Sequence, residues 1–223
     1  MELARMLEVR PGVTAIIGSG GKTSLLLRLA AELGASARVI VCTTTHIQPP
    51  EGVPLLLGAE AAHTPEVLGV RGAVCVATEA AHGKLSAPAV PISQLMQWAD
   101  YVLVEADGSK QLPVKAHEPH EPVIPPEANQ TIAVFGLLGL GRPICDVAHR
   151  AERYARSLGA AADTILTPEL AAAHLSLEAL HTRVLLNQAD RPDGRALARQ
   201  MAKKLRTPVC MASLREEWAE CLY

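Results

Sequence analysis

Aromatic side chains are scarce in this chain, at 3% with a single phenylalanine. That argues against the stacking platforms on which proteins bind single-stranded nucleic acid. An excess of basic charge is also absent: the formal net charge is −2, so no positive field points to a nucleic-acid partner. No apolar run is long enough to span a bilayer, and Met1 to Arg10 lack the basic start and apolar middle of a signal peptide. We therefore expect a cytoplasmic protein without a membrane partner. The five cysteines, Cys42, Cys75, Cys145, Cys210 and Cys221, contain no C-x-x-C pair and read as free thiols. Cys42, Cys75 and Cys210 lie in apolar, strand-like runs, where cysteine acts as a small hydrophobe. With 49% apolar and 20% charged residues over 223 positions, the chain can bury a sizeable core.

Against that background, the stretch Val13 to Leu29, VTAIIGSGGKTSLLLRL, organises the chain. Val13 to Ile17 has the β-branched, fully apolar look of a buried parallel strand. Gly18, Ser19, Gly20 and Gly21 can then turn backbone N–H groups toward an anion. A helix starting near Lys22 adds its positive end; Lys22 reaches β- and γ-phosphates, Thr23 offers a hydroxyl to Mg²⁺, and Ser24 completes the cradle. The common loop has a glycine six positions before the lysine; here that position is Ile16, so the loop is a shortened variant.

Along the chain, Ser24 to Leu33 has helical spacing and stops at Gly34. Arg38 to Cys42 is a second buried strand, running out into Thr43, Thr44, Thr45 and His46 on the rim where α/β proteins bind ligands. Residues 51–91 read as a small subdomain or insertion, with strands at Pro54 to Leu57 and Ala73 to Ala77, a short helix at Thr64 to Leu68 and a hairpin tip near Gly83 to Ala87. A helix is expected over Pro91 to Ala99. Tyr101 to Glu105 is a third core strand, capped by Glu105 and Asp107 and followed by Ser109 and Lys110. Lys115 to Asn129 carries four prolines and must be an ordered active-site loop or a mobile lid; the loop is set at 111–130. Strands follow at Thr131 to Phe135, Arg183 to Leu186 and Pro208 to Met211. Helices are expected at Val147 to Leu158, Pro168 to Leu175 and Gly194 to Leu205, with a short helix at the C-terminus. The alternation predicts one three-layer α/β domain of P-loop NTPase type over 1–223, with a mostly parallel sheet.

The acids Glu105 and Asp107 at a strand end are candidates for the carboxylate that polarises water on Mg²⁺; either one can be nearer the metal. Asn187-Gln188-Ala189-Asp190, after the fifth strand, resembles the N-K-x-D element that reads guanine, with Gln188 replacing the lysine. Asn187 and Asp190 are thus base-side candidates, for ATP or GTP. His46 joins Lys22, Glu105 and Asp107 as a candidate catalytic group. His117, Glu118 and His120, with Thr43 to Thr45, Ser109 and Lys110, are candidates for holding a metal, an anionic substrate or a partner. His63, His82, His174 and His181 read as surface or structural residues.

The blocks I-G-S-G-G-K-T-S (Ile17 to Ser24), T-T-T-H-I (Thr43 to Ile47), V-E-A-D-G-S-K (Val104 to Lys110), L-P-V-K-A-H-E-P-H-E-P-V-I-P (Leu112 to Pro125) and N-Q-A-D (Asn187 to Asp190) keep their order over most of the chain. Together they resemble the YqeC-like accessory proteins associated with selenium-dependent molybdenum hydroxylases. The resemblance implies a Mg²⁺-dependent nucleotide factor in maturing or inserting a molybdenum cofactor, with a hydroxylase or its pterin as partner. The shortened loop also resembles that of Mur-type ligases, which keeps an ATP-dependent ligase or kinase open, and a non-hydrolysing carrier is the third reading.

Overall fold

A computed structural model describes residues 2–222. The apolar run Val13 to Ile17 becomes the middle of strand β1 (Gly12–Gly18), which pairs in parallel with β6 (Tyr101–Glu105) on one side and β8 (Ala128–Gly136) on the other. Beyond β6 lie β2 (Arg38–Thr43), β4 (Gly72–Glu79) and β3 (Leu55–Leu57); beyond β8 lie β10 (Arg183–Asn187), β11 (Val209–Ser213) and β12 (Trp218–Cys221). Among the described residues this makes a ten-stranded sheet, parallel except for β12 and for β5 (Leu85–Ser86), which hairpins onto β4. Residues 51–91 thus extend one edge of the sheet.

Alternation along β1 sends Ile16 to one face and Val13, Ala15 and Ile17 to the other. The Ile16 face is covered by α1 (Leu3–Met6) and α2 (Lys22–Gly34), through Leu3, Leu25, Leu26 and Leu29, all fully buried. The opposite face is covered near β4 by α3 (Thr64–Leu68) and α4 (Ile92–Trp98). Further along it is covered by α5 (Ile144–Val147), α6 (Ala151–Ser157), α7 (Pro168–Glu178) and α8 (Gly194–Ala202). Each buried leucine contributes about 1.5–3 kcal/mol, so these faces hold the three layers together. No described helix is long and apolar enough to cross a membrane.

Three expectations are corrected. The helix expected over Val147 to Leu158 is broken, because Ala148–His149 (β9) pairs in parallel with Val114–Lys115 (β7), and Arg150 takes a left-handed conformation before α6 starts. The expected C-terminal helix is the antiparallel strand β12. Trp218 packs with the α6–α8 side of the core and Ala219 with the α2 side, the two-face alternation of a strand. Gly34 is the last residue of α2 but not a left-handed cap, since Ala35 follows it in a right-handed conformation; its missing Cβ lets the helix end lie close to β4, where a Cβ would stand 3.2 Å from the Gly72 carbonyl carbon.

Candidate functional site

The C-terminal ends of β1, β6, β2 and β8 form the rim of a cleft of about 1120 Å³. The glycine-rich loop at its floor is shaped by close approach to β8. Gly18 and Gly20 have φ of 92° and 88°, and a Cβ on either would come within 2.3–2.4 Å of β8 backbone atoms. The loop is pinned by Ser19 N–H to Val134 O (2.8 Å), by the Ser19 hydroxyl to Leu112 O, and by Gly18 N–H to the Asp107 carboxylate (2.8 Å). Helix α2 then begins at Lys22 with no side chain capping it, so its first-turn N–H groups lack intrahelical acceptors. They face the cleft together with its partial positive charge.

Lys22 is buried. Its Nζ donates to Gly18 O (2.9 Å) and Ser109 Oγ (3.2 Å), and lies 3.1 Å from Asp107 and 3.7 Å from Glu105. Thr23 Oγ1 donates to Glu105 Oε2 at 2.9 Å. The two acids, left undivided by sequence, have separate surroundings. Burial pushes the Glu105 carboxyl up, against the pull of Lys22 and Thr23. Burial also acts to raise Asp107, but the His117 hydrogen bond and the Lys22 and Lys115 charges overcome it and hold Asp107 at about 2. Asp107 accepts from His117 Nε2 (2.6 Å) and Gly18 N–H and pairs with Lys115 (3.2 Å), so it fixes the loop; Glu105 is the acid beside Thr23. Thr23 and Glu105 place a hydroxyl and a carboxylate side by side, hard oxygen donors of the kind that could hold a Mg²⁺ ion.

His117 turns inward: its backbone N–H and ring Nδ1 both meet Glu178 at 2.7 Å. Burial would lower its pKa, but carboxylates on both ring nitrogens raise it above the ordinary value, which fits a doubly donating imidazolium. Glu178 also approaches His174 (3.5 Å), which is buried, bonded to Ser157 (2.8 Å) and stacked on Tyr154. Glu118 lies between Arg150 (3.8 Å) and Arg153 (3.3 Å), and His120 is exposed, so the His117–Glu118–His120 spacing does not converge on one centre. Among the described residues no three His, Cys, Asp or Glu side chains are gathered to hold a metal ion.

The threonine run divides by role. Thr43 Oγ1 donates to Glu105 O (2.8 Å) and Thr44 Oγ1 to Val123 O (2.7 Å), tying β2 to β6 and to the proline-rich loop. Thr45 and His46 line the cleft, as do Ser109 and Lys110. On the far side of the loop, Asn187 Nδ2 donates to Gly20 O (2.7 Å), and Asn187 Oδ1 accepts from Leu214 N–H (3.1 Å). There an adjoining cavity of about 550 Å³ is lined by Gly20, Gly21, Ser24, Asn187, Gln188 and Asp190. Asn187 is therefore a clamp within the protein, and Asp190 is exposed at the wall. Sequence reasoning left Lys115, Glu121, Arg150 and Glu178 out of the site. Lys115 and Glu121 stand within the Leu112 to Pro125 block, whereas Glu178 arrives from α7 with no local signal.

Residues 14–152 match the family model described as YqeC protein. Over 165 residues the chain is also 37% identical to the uncharacterized protein YqeC of Escherichia coli (strain K12), across 70% of this chain and 64% of that one. The chain belongs to the YqeC family. It spans less than two thirds of the length of that YqeC relative. The YqeC family match takes in the phosphate loop, the threonine run, Glu105, Asp107 and the proline-rich loop; Asn187 and Glu178 lie beyond residue 152.

Proposed function

We propose that this chain binds a Mg²⁺–nucleoside triphosphate, hydrolyses or transfers its terminal phosphoryl group, and serves the maturation or insertion of a molybdenum cofactor in a selenium-dependent hydroxylase. The observation that carries the nucleotide reading is the Thr23–Glu105 pair beside buried Lys22 at the uncapped start of α2, on the floor of an open cleft. When bound, Mg²⁺ would neutralise charge on the β- and γ-phosphate oxygens. Thr23 and Glu105 would hold it. Lys22 would exchange its contacts with Ser109 and Gly18 for phosphate oxygens, while the first-turn amides of α2 bind the same anion. Asp107 keeps the loop in shape throughout. Asn187 frames the base-side cavity, and both ATP and GTP suit an opening walled by Gln188 and Asp190. The cofactor-maturation role rests on family resemblance.

The test is calorimetry with ATP and GTP, with and without Mg²⁺, on the wild type and Lys22→Ala. The wild type should bind one of them with Mg²⁺-enhanced affinity, and the variant should bind neither. Unaltered affinity in Lys22→Ala would overturn the assignment. Tight binding without phosphate release, at any acceptor, would instead identify a carrier.

A further inference from the structure

The cleft runs past the start of α2 between two stretches of its lining. On one, Ile47 and Leu85 exchange backbone hydrogen bonds (3.0 and 2.8 Å), which brings Lys84 beside Thr45, His46 and Gln48. On the other, His149 lines the cleft and is the direct β7–β9 ladder partner of Lys115, which is buried. Lys110, Gln111 and Arg150 complete that stretch. Lys110, Gln111 and Arg150 have φ of 49°, 61° and 65°, and Gln188, also on the cleft, has 66°. Each non-glycine residue held there costs about 1 kcal/mol or more, and such strain collects where ligands are handled.

Charge is distributed unevenly between the two stretches. Glu121 pairs with Lys115 (3.1 Å) and Arg150 (2.6 Å), and Asp107 takes the other side of Lys115. Lys84 and Lys110 have no ion-pair partner among the described residues, and both face the cleft. His149 Nδ1 is buried without a hydrogen-bond partner. Burial, then the charges of Arg150, Lys115 and Lys110, push that ring toward its neutral form, leaving a nitrogen free to accept a proton or a hydrogen bond.

We propose that the space between Lys84 and Lys110 is a second substrate site, for a small molecule bearing a phosphate group, beside the place of the nucleotide's terminal phosphate. The proposal rests on the triphosphate reading above. Two ammonium groups lining one cleft without ion-pair partners among the described residues suit a multiply charged, roughly spherical anion better than a planar carboxylate, which a guanidinium fork would hold bidentately. Among the described residues Arg150 is the guanidinium lining the cleft, and it is already committed to Glu121.

The experiment fills the nucleotide site first. Wild type, Lys84→Ala, Lys110→Ala and the double variant are each titrated to saturation with Mg²⁺ and a non-hydrolysable triphosphate analogue. Inorganic phosphate is then titrated in and followed by ³¹P NMR, with citrate as the carboxylate control. We expect one phosphate per chain on the wild type, about fivefold weaker binding in each single variant, and about 25-fold weaker binding in the double variant. If the analogue does not bind, the nucleotide reading falls and takes this site with it. If the analogue binds but phosphate does not, or phosphate binds the double variant as well as wild type, the second site alone falls. Citrate binding in place of phosphate overturns the phosphate assignment.

Discussion

At Asp107 one fully buried carboxylate accepts from the Gly18 amide and from His117, and faces the ammonium groups of Lys22 and Lys115. Removing its charge leaves buried Lys22 with only the more distant Glu105 and Lys115 with only Glu121, so Asp107→Asn should lose about 3 kcal/mol of unfolding free energy in a denaturant titration. Glu105→Gln should behave differently. Burial already disfavours the charged form of Glu105, so the amide should cost about 1 kcal/mol or less, while the Mg²⁺ enhancement of nucleotide binding disappears in calorimetry. Equal stability losses in the two variants would contradict this division of labour. Lys22, Thr23 and the pair of acids were legible because their order along strand, loop and helix is itself the signal. Which acid stands beside Thr23 was not legible, since two acids at a strand end do not say where each points. His117 was read as an outward ligand because its acceptor, Glu178, stands on a helix 61 residues further on.

Elements announced themselves where the pattern was local. Tyr101–Glu105 and Thr64–Leu68 have the predicted bounds, one as a continuous apolar run and the other introduced by a proline in its first turn. The break at Ala148–His149 was hidden because no proline or glycine marks it; the cause is a strand partner at Val114–Lys115, 34 residues earlier. Likewise the helix-forming residues before Trp218 were overruled by pairing with β11. Helix α7 permits a test of local backbone cost. It ends at the exposed Ala179, held left-handed at φ 49° and ψ 33°, the place where glycine is favoured. Ala179→Gly should therefore stabilise the protein by about 1 kcal/mol, seen as a raised Tm; a lowered Tm would show that the cap contributes something beyond its dihedral angles.

Over the whole molecule, the ionised network sets the pH range of stability. Asp107 at about 2 and Glu178, held well below its ordinary value by His117 and His174 against the opposing effect of burial, bind fewer protons folded than unfolded. Their contribution is present above the usual carboxylate range and is lost as pH falls through it toward their folded values. His117 has the opposite sign: raised above 6.5, it stabilises below that value, and its contribution is lost as pH rises through its folded pKa. Denaturation midpoints against pH should thus fall on both sides, and the fall that sets in above 6.5 should be smaller in His117→Asn, while the fall from the buried Cys42, Cys75, Cys210 and Tyr154 at higher pH remains. Sequence alternation foretold the three layers and the parallel sheet, but not the strand order, because it does not record which strand lies beside which.

The bond between Asn187 and Gly20 also has a consequence for synthesis. The side chain that holds the Gly20 carbonyl is made 167 residues after it, and the Leu214 amide that holds that side chain 27 residues later still. A nascent chain lacking them carries the glycine-rich loop without the brace on Gly20. If the chain takes up nucleotide as proposed, that competence is completed only once Leu214 has been made.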